Sequence, residues 1–402
     1  MPCNRSKLMR NCLLICIIGM CFVLSGCWDR SELNENSIVT GIAIDKGDKH
    51  KYKISIESTA ATELNYRTAQ GLAPSFIYTF EGDTIGEITH KFNIATSTHY
   101  IFSHTRVLVI GETIAKEGIL SFMDFFDRDR EIRDDFNIVI AKEGNAVDLL
   151  RITNDYQKVS SLKIFPQLDN MLKDWGGTPV MKLNDYIRSY ASKGQVPVLA
   201  AMTIEGSKEK GANIENITKS VPDAVGKIDS LAVFKGGKLQ GYLSLEETRL
   251  LLWVQNKLEQ TSLTIPFEGE ENKYFGIRVL RSKTKIKAKE VEGIPQFDIY
   301  IDAESVLDGS DQKVELKKVH AFNDFEKEAN NYLKKEFATL FKKMQTDYEA
   351  DIFGLGEKLR DQDYKNFKKY KEDWTVGYKK AKINMHLNTD IKRSGFRNDS
   401  NH

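Results

Sequence analysis

The sequence predicts an α+β protein: three mixed α/β domains with largely antiparallel or mixed sheets, behind an N-terminal segment that is removed. Three observations predict this. Short β-rich runs alternate with runs of helical periodicity over most of the chain. Turn signals place several of those runs in hairpins. The first 27 residues differ in composition from all that follows. With 402 residues, 41% hydrophobic and 29% charged, the chain has material for more than one core and is not of low complexity. Its 58 basic against 57 acidic residues point to no nucleic-acid partner.

The N-terminus reads first. Arg5, Lys7 and Arg10 precede an uncharged apolar run from Cys12 to Leu24, and Ser25, Gly26 and Cys27 follow. A basic start, a short apolar stretch and small residues before a cut predict a signal peptide over 1–26. As a helix the run reaches only about 20 Å, against a hydrocarbon core of about 30 Å. Leu24-Ser25-Gly26-Cys27 resembles the lipobox of bacterial lipoproteins. That resemblance implies cleavage before Cys27 and a diacylglyceryl group on its sulfur. All five cysteines lie in this segment. The processed chain is therefore expected to keep one, with no disulfide, thiolate metal site or cysteine nucleophile.

Ile38 to Asp45 and Lys51 to Ser58 are β-rich runs around a polar turn, a hairpin with one buried face. Residues 63–76 lack periodicity and read as a loop. Ile85, Ile88, Phe92 and Ala95 have helical spacing over Thr84 to Thr96. Arg106 to Ile110 is a strand, Glu112 to Phe126 a helix and Phe136 to Ala141 a strand, which suggests helices packed on a sheet. Helical patterns cover Leu149 to Asp174 and Leu183 to Ser192, and Pro197 to Glu205 is a strand. The polar stretch Gly206 to Lys227 marks a boundary, giving domains 27–205, 206–270 and 271–402. Ser230 to Phe234 and Leu239 to Leu243 flank Gly236-Gly237 in a second hairpin, and Glu246 to Leu258 is a helix. Ser262 to Phe267, Tyr274 to Lys289 and Pro295 to Val306 are strands. A long amphipathic helix spans Val314 to Ala350, and a strand closes the chain, with Ile383, Met385 and Leu387 alternating against Asn384, His386 and Asn388.

Among candidate sites, Arg281, Lys283, Lys285, Lys287 and Lys289 stand at two-residue spacing, one face of a strand. Such a face fits anionic lipid headgroups or a partner. It also fits a solvated edge strand, paired across the sheet with Asp298, Asp302 and Glu304. Phe126 to Arg133 is a dense charge cluster, but it lacks the glycine and late glutamate of a calcium loop and reads as a solvated or partner-facing turn. His99 and His104 are expected on opposite sides of an extended segment. No zinc spacing, nucleophile elbow or phosphate loop occurs; Gly354-Leu355-Gly356 lacks the third glycine of a dinucleotide motif. No catalytic residue, metal or cofactor is expected.

The chain resembles the Ger(x)C lipoproteins, the C subunits of nutrient germinant receptors. The resemblance rests on Cys27-Trp28-Asp29-Arg30, Glu32-Leu33, Ile38 to Gly41, Ile44-Asp45-Lys46, Ser103-His104-Thr105, Val107 to Gly111, and Ala115 to Gly118. It continues through Phe126, Arg128-Asp129, Glu131-Ile132-Arg133, Ala232 to Lys235, Gly241-Tyr242-Leu243 and Trp253, then Asp351 to Gly356, Trp374 and Ile391 to Gly395. Tyr364 to Phe367 replaces a Trp-bearing, proline-containing segment that the family shows before Trp374. The resemblance implies a three-domain, non-enzymatic protein, lipid-anchored on the outer face of the inner spore membrane. It would act there with integral-membrane A and B subunits to trigger germination. A solute-binding lipoprotein serving a transporter is the alternative, and a surface hydrolase a third reading.

Overall fold

The computed structural model describes residues 9–11, 13–15, 36–59, 73–312 and 322–392. Leu24, Ser25, Gly26 and Cys27 lie outside the described residues, as do most of the loop expected at 63–76 and the start of the helix expected at Val314. No helix among the described residues is long and apolar enough to cross a membrane.

The strands form two mixed sheets, with helices packed against them. The first has the order β3-β2-β1-β5-β6-β7-β8-β9. These strands are β1 (Asn36–Lys46), β2 (Tyr52–Thr59), β3 (Ser75–Gly82), β5 (Val107–Gly111), β6 (Asn137–Ala141), β7 (Val198–Gly206), β8 (Ala224–Lys235) and β9 (Lys238–Leu243). β4 (His99–Ile101) pairs in parallel with the start of β1. The centre of this sheet is parallel and its flanks antiparallel. Every residue of β5 and β6 is buried, because helices cover both faces. Leu108 and Ile110 enter one core while Val107 and Val109 enter the other, as strand alternation requires.

Helices of six or more residues between 36 and 392, among the described residues, are α1 (Ile85–Lys91), α2 (Glu112–Glu117), α3 (Leu120–Arg128), α4 (Ala146–Arg151), α5 (Ser160–Asp174), α6 (Leu183–Ala191), α7 (Leu245–Val254), α8 (Asn323–Thr346), α9 (Leu355–Gln362) and α10 (Trp374–Lys380). α4 and α5 pack Leu149, Leu150, Ile164 and Leu168 on one face of the first sheet. The helix expected over Glu112 to Phe126 is two helices, because Gly118 takes φ of 130° and breaks it. β3 was hidden in a stretch without alternation, and α9 and α10 fall in a polar region with no clear periodicity.

The second sheet has the order β10-β11-β12-β13: β10 (Thr261–Pro266), β11 (Tyr274–Val291), β12 (Ile294–Ser310) and β13 (Lys382–Lys392). β11 and β12 form a long hairpin closed by Glu292 and Gly293, both with positive φ. β13 returns parallel to β12. The inner face buries Phe297, Ile299 and Ile301, while α8 contributes Phe325, Leu333, Phe337 and Met344 to the same core. That core is continuous with one side of the first sheet. Of the three expected segments, 206–270 supplies β8 and β9 to the first sheet and β10 to the second, so hydrogen bonding runs through position 206.

Candidate functional site

The basic strand lies in β11. Before residue 280 the odd positions Phe275, Ile277 and Val279 point into the core. A bulge between Val279 and Arg281 inserts Leu280, and from there the odd positions point out. Arg281, Lys283, Lys285, Lys287 and Lys289 are all exposed. The register sets Arg281 opposite Glu304, Lys283 opposite Asp302 and Lys287 opposite Asp298. Only the first is an ion pair, at 2.5 Å. β13 takes the other acids: Asn384 and His386 reach Asp298 at 3.0 and 3.4 Å, and Asn388 reaches Asp302 at 3.2 Å. Lys287 sits 5.0 Å over the Tyr300 ring, which stacks on His386 at 4.5 Å. Among the described residues, Lys283, Lys285 and Lys289 have no carboxylate within ion-pair distance. The β11 backbone beyond the bulge is capped rather than open. Asn256 Oδ1 accepts from the Thr284 N–H, Gln362 Oε1 from that of Ala288 and Asp363 Oδ2 from that of Glu290.

A groove of about 780 Å³ opens between the start of β1, α1 and the turn after α3. His90, Asn93, His99, Phe125, Asp129 and Glu131 are among its walls. The Phe126 to Arg133 cluster thus forms a rim. Arg128 is held by Asp124 at 2.9 Å and Asp129 accepts from the Glu131 N–H at 2.8 Å. His90 and His99 share this groove although nine residues apart; β4 folding back onto β1 brings them together, which no local spacing signals. His104 is exposed and is not among the groove's lining residues. Among the described residues no group of His, Cys, Asp and Glu is placed to hold a metal.

Three buried carboxylates do a different task. Asp351 accepts from the N–H groups of Phe353, Gly354 and Gly356 at 3.0, 2.9 and 2.8 Å, and from the Trp374 indole at 2.8 Å. Burial pushes its carboxyl up to about 6 against the pull of those donors. Gly354 takes φ of 78° to turn the chain into α9. A Cβ on Gly356 would lie 2.6 Å from the Gly194 Cα, so only glycine admits the loop that precedes β7. Val196 N–H donates to Asp351 O, and Gln195 and Gln255 donate to Ile352 O. This clasp joins the two sheets.

Glu57, fully buried, accepts from the N–H groups of Ser160 and Ser161 at the start of α5, and from the Ser75 hydroxyl. Asp45 accepts from those of Ala146 and Val147 at the start of α4. Burial raises both carboxyls. Gly41 leaves room for Ser161 and Gly111 for Asp45, since a Cβ at either would clash at 2.8 and 2.3 Å. Gly41, Asp45, Gly111, Asp351, Gly354, Gly356 and Trp374, all quoted above for the family resemblance, are therefore joints of the fold.

Residues 29–204 match the family described as spore germination protein N-terminal domain, and residues 229–395 match spore germination B3/GerAC like, C-terminal. Spore germination protein KC of Bacillus subtilis (strain 168) is 28% identical over 98% of both chains. Spore germination protein B3 of the same organism is 26% identical over 88% of this chain and 90% of its own. The crystal structure of the GerBC protein superposes with a TM-score of 0.53 at 20% identity, covering 87% of this chain and 96% of that one, which shows a shared fold. The chain belongs to the Ger(x)C family of spore germination proteins.

Proposed function

We propose that this chain is a non-enzymatic, lipid-anchored subunit of a nutrient germinant receptor. Cys27 carries the diacylglyceryl anchor on the outer face of the inner spore membrane, and integral-membrane A and B subunits are its partners. The observation that carries the reading is the match in order along nearly the whole of both chains to a spore germination protein. The buried carboxylates add support: each is occupied by backbone donors and none lines the groove at His90 and His99, so none is poised there for acid–base work. Lys283, Lys285 and Lys289, with no carboxylate within ion-pair distance among the described residues, suit a body held near anionic headgroups, each lysine near such a surface contributing about 1 kcal/mol.

A Cys27→Ala variant in sporulating cells tests the anchor. The expected result is loss of membrane retention together with a weakened nutrient response. Unchanged retention and response would refute it. The groove at His90 and His99 favours one other reading, a solute-binding lipoprotein serving a membrane transporter. That reading requires a small ligand to raise the melting temperature, since binding to the native state must stabilise it.

A further inference from the structure

The register of β11, β12 and β13 sets the outer face of the second sheet in rows. Lys289 lies beside Gln296 and Lys382, Lys287 beside Asp298 and Asn384, Lys285 beside Tyr300 and His386, and Lys283 beside Asp302 and Asn388. The β11 and β13 members of these rows are all exposed. Opposite charges facing each other across a sheet ordinarily attract. In two rows the acid turns the other way. Asp302 accepts from the Asn388 amide at 3.2 Å, and among the described residues it makes no ion pair with Lys283. Asp298 accepts from Asn384 at 3.0 Å and has His386 Nε2 at 3.4 Å, while Lys287 rests over the Tyr300 ring. The Asn384 amide, more than any other neighbour, holds the Asp298 carboxyl below the ordinary carboxylate range. The next row is an internal control. There β13 offers Asp390 in place of an amide, and Glu304 does pair with Arg281. A hollow of about 300 Å³ lined by Lys283, Asp302 and Asn388 leaves Asp302 room to turn toward either strand.

We propose that Asn384, His386 and Asn388 are positioning residues for a lipid-docking face. By holding Asp298 and Asp302 on the β13 side, they leave Lys283 and Lys287, together with Lys285 and Lys289, free to meet an anionic bilayer surface. The proposal rests on the headgroup reading of these lysines given above. A lysine neutralised by a neighbouring carboxylate adds nothing to attraction toward an anionic leaflet, whereas each free one adds its own share. From Lys283 to Lys289 the row covers six residues of strand, about 20 Å, with every ammonium on one face. The capped β11 backbone leaves side chains as its means of contact beyond the bulge.

Sedimentation with vesicles tests it. The chain is residues 27–402 carrying Cys27→Ala, so that no acyl group contributes, and the vesicles are phosphatidylcholine with about one third phosphatidylglycerol. Asn388→Ala is expected to weaken binding about threefold to fivefold, the share of one lysine. In an Asp302→Asn background the same change is expected to have no effect, because no carboxylate is left to take Lys283. Asn384→Ala, compared with and without Asp298→Asn, is expected to repeat the pattern. All of these positions are solvent-facing, so melting temperatures should stay near that of the parent. Lys283→Glu, Lys285→Glu and Lys289→Glu together check the headgroup reading itself and should weaken binding about a hundredfold or more. If that triple variant binds like the parent, the lipid reading fails and the positioning proposal with it. If it loses binding while Asn388→Ala has no effect, or an equal effect in both backgrounds, the lysines meet lipid and the positioning proposal alone is overturned.

Discussion

At Asp351 one carboxylate, 2% exposed, gathers four donors and shapes the turn whose main-chain carbonyls hold the segment leading into β7. On the outer face of β11, Lys283, Lys285 and Lys289 stand in solvent with no carboxylate in reach among the described residues. Both regions are polar, yet their charges act in opposite ways. A buried carboxylate must be fully satisfied or the fold loses several kcal/mol, so its neighbours are dictated to single residue types. An exposed cation contributes little to stability whether paired or not. Of the residues quoted for the family resemblance, Gly41, Asp45, Gly111, Asp351, Gly354, Gly356 and Trp374 fall in the first kind of region, while His104, Arg128, Asp129 and Glu131 are exposed or line the groove. The buried members of the family pattern record how the chain is joined.

Substitutions at the two regions should therefore differ in size. Asp351→Ala strands three backbone N–H groups and the Trp374 indole, and is expected to cost about 4 kcal/mol, read as a lower denaturant midpoint. Gly356→Ala pushes a methyl into the Gly194 backbone and should cost about 2 kcal/mol. Glu57→Gln keeps the shape but replaces one acceptor by a donor facing α5, and should cost about 1 to 2 kcal/mol. Lys285→Glu should move stability by less than about 0.5 kcal/mol. Combined with Lys283→Glu and Lys289→Glu, it should weaken sedimentation with anionic vesicles and leave the melting temperature near that of the parent.

Acidity separates the regions as well. The folded chain holds the Asp351 carboxyl at about 6, above its unfolded value, so the folded state binds this proton more tightly. Relative to Asp351→Asn, which does not titrate, the parent should gain stability as pH falls through 6 and level off near 4. On the outer face the sign reverses. Glu304 is held low by Lys392 and Arg281, so its contribution is present above the unfolded value and fades at lower pH. Its exposure makes that change small. Paired denaturation series at pH 7 and 5 check the first sign, and series carried from pH 5 to about 3 check the second.

Much of this architecture was legible in the residues. Alternation gave the β1–β2 and β11–β12 hairpins and the closing strand, and the cationic spacing of β11 put its solvent face where it lies. Of the three acids expected to pair with this face, Glu304 does so, with Arg281, while Asp298 and Asp302 bond to β13 instead. What stayed hidden was long-range. β3 has no period-2 pattern, because its residues are nearly all half-buried on both faces. The groove with His90 and His99 exists because β4 returns to β1, a pairing set by tertiary packing. Asp351 and Trp374 were quoted as family residues, but their joint task requires Gly194 and Val196 from far earlier in the chain. The divided helix at Gly118 was foreseeable from its glycine alone.

The distinction between joint and working surface is tested most directly by Asp351→Asn in spores, scoring the nutrient response per folded, membrane-associated chain. If Asp351 serves only the fold, fewer chains accumulate, and each supports the parental response. A variant that accumulates and folds at the parental level yet leaves spores unresponsive would make Asp351 a functional residue and contradict that assignment.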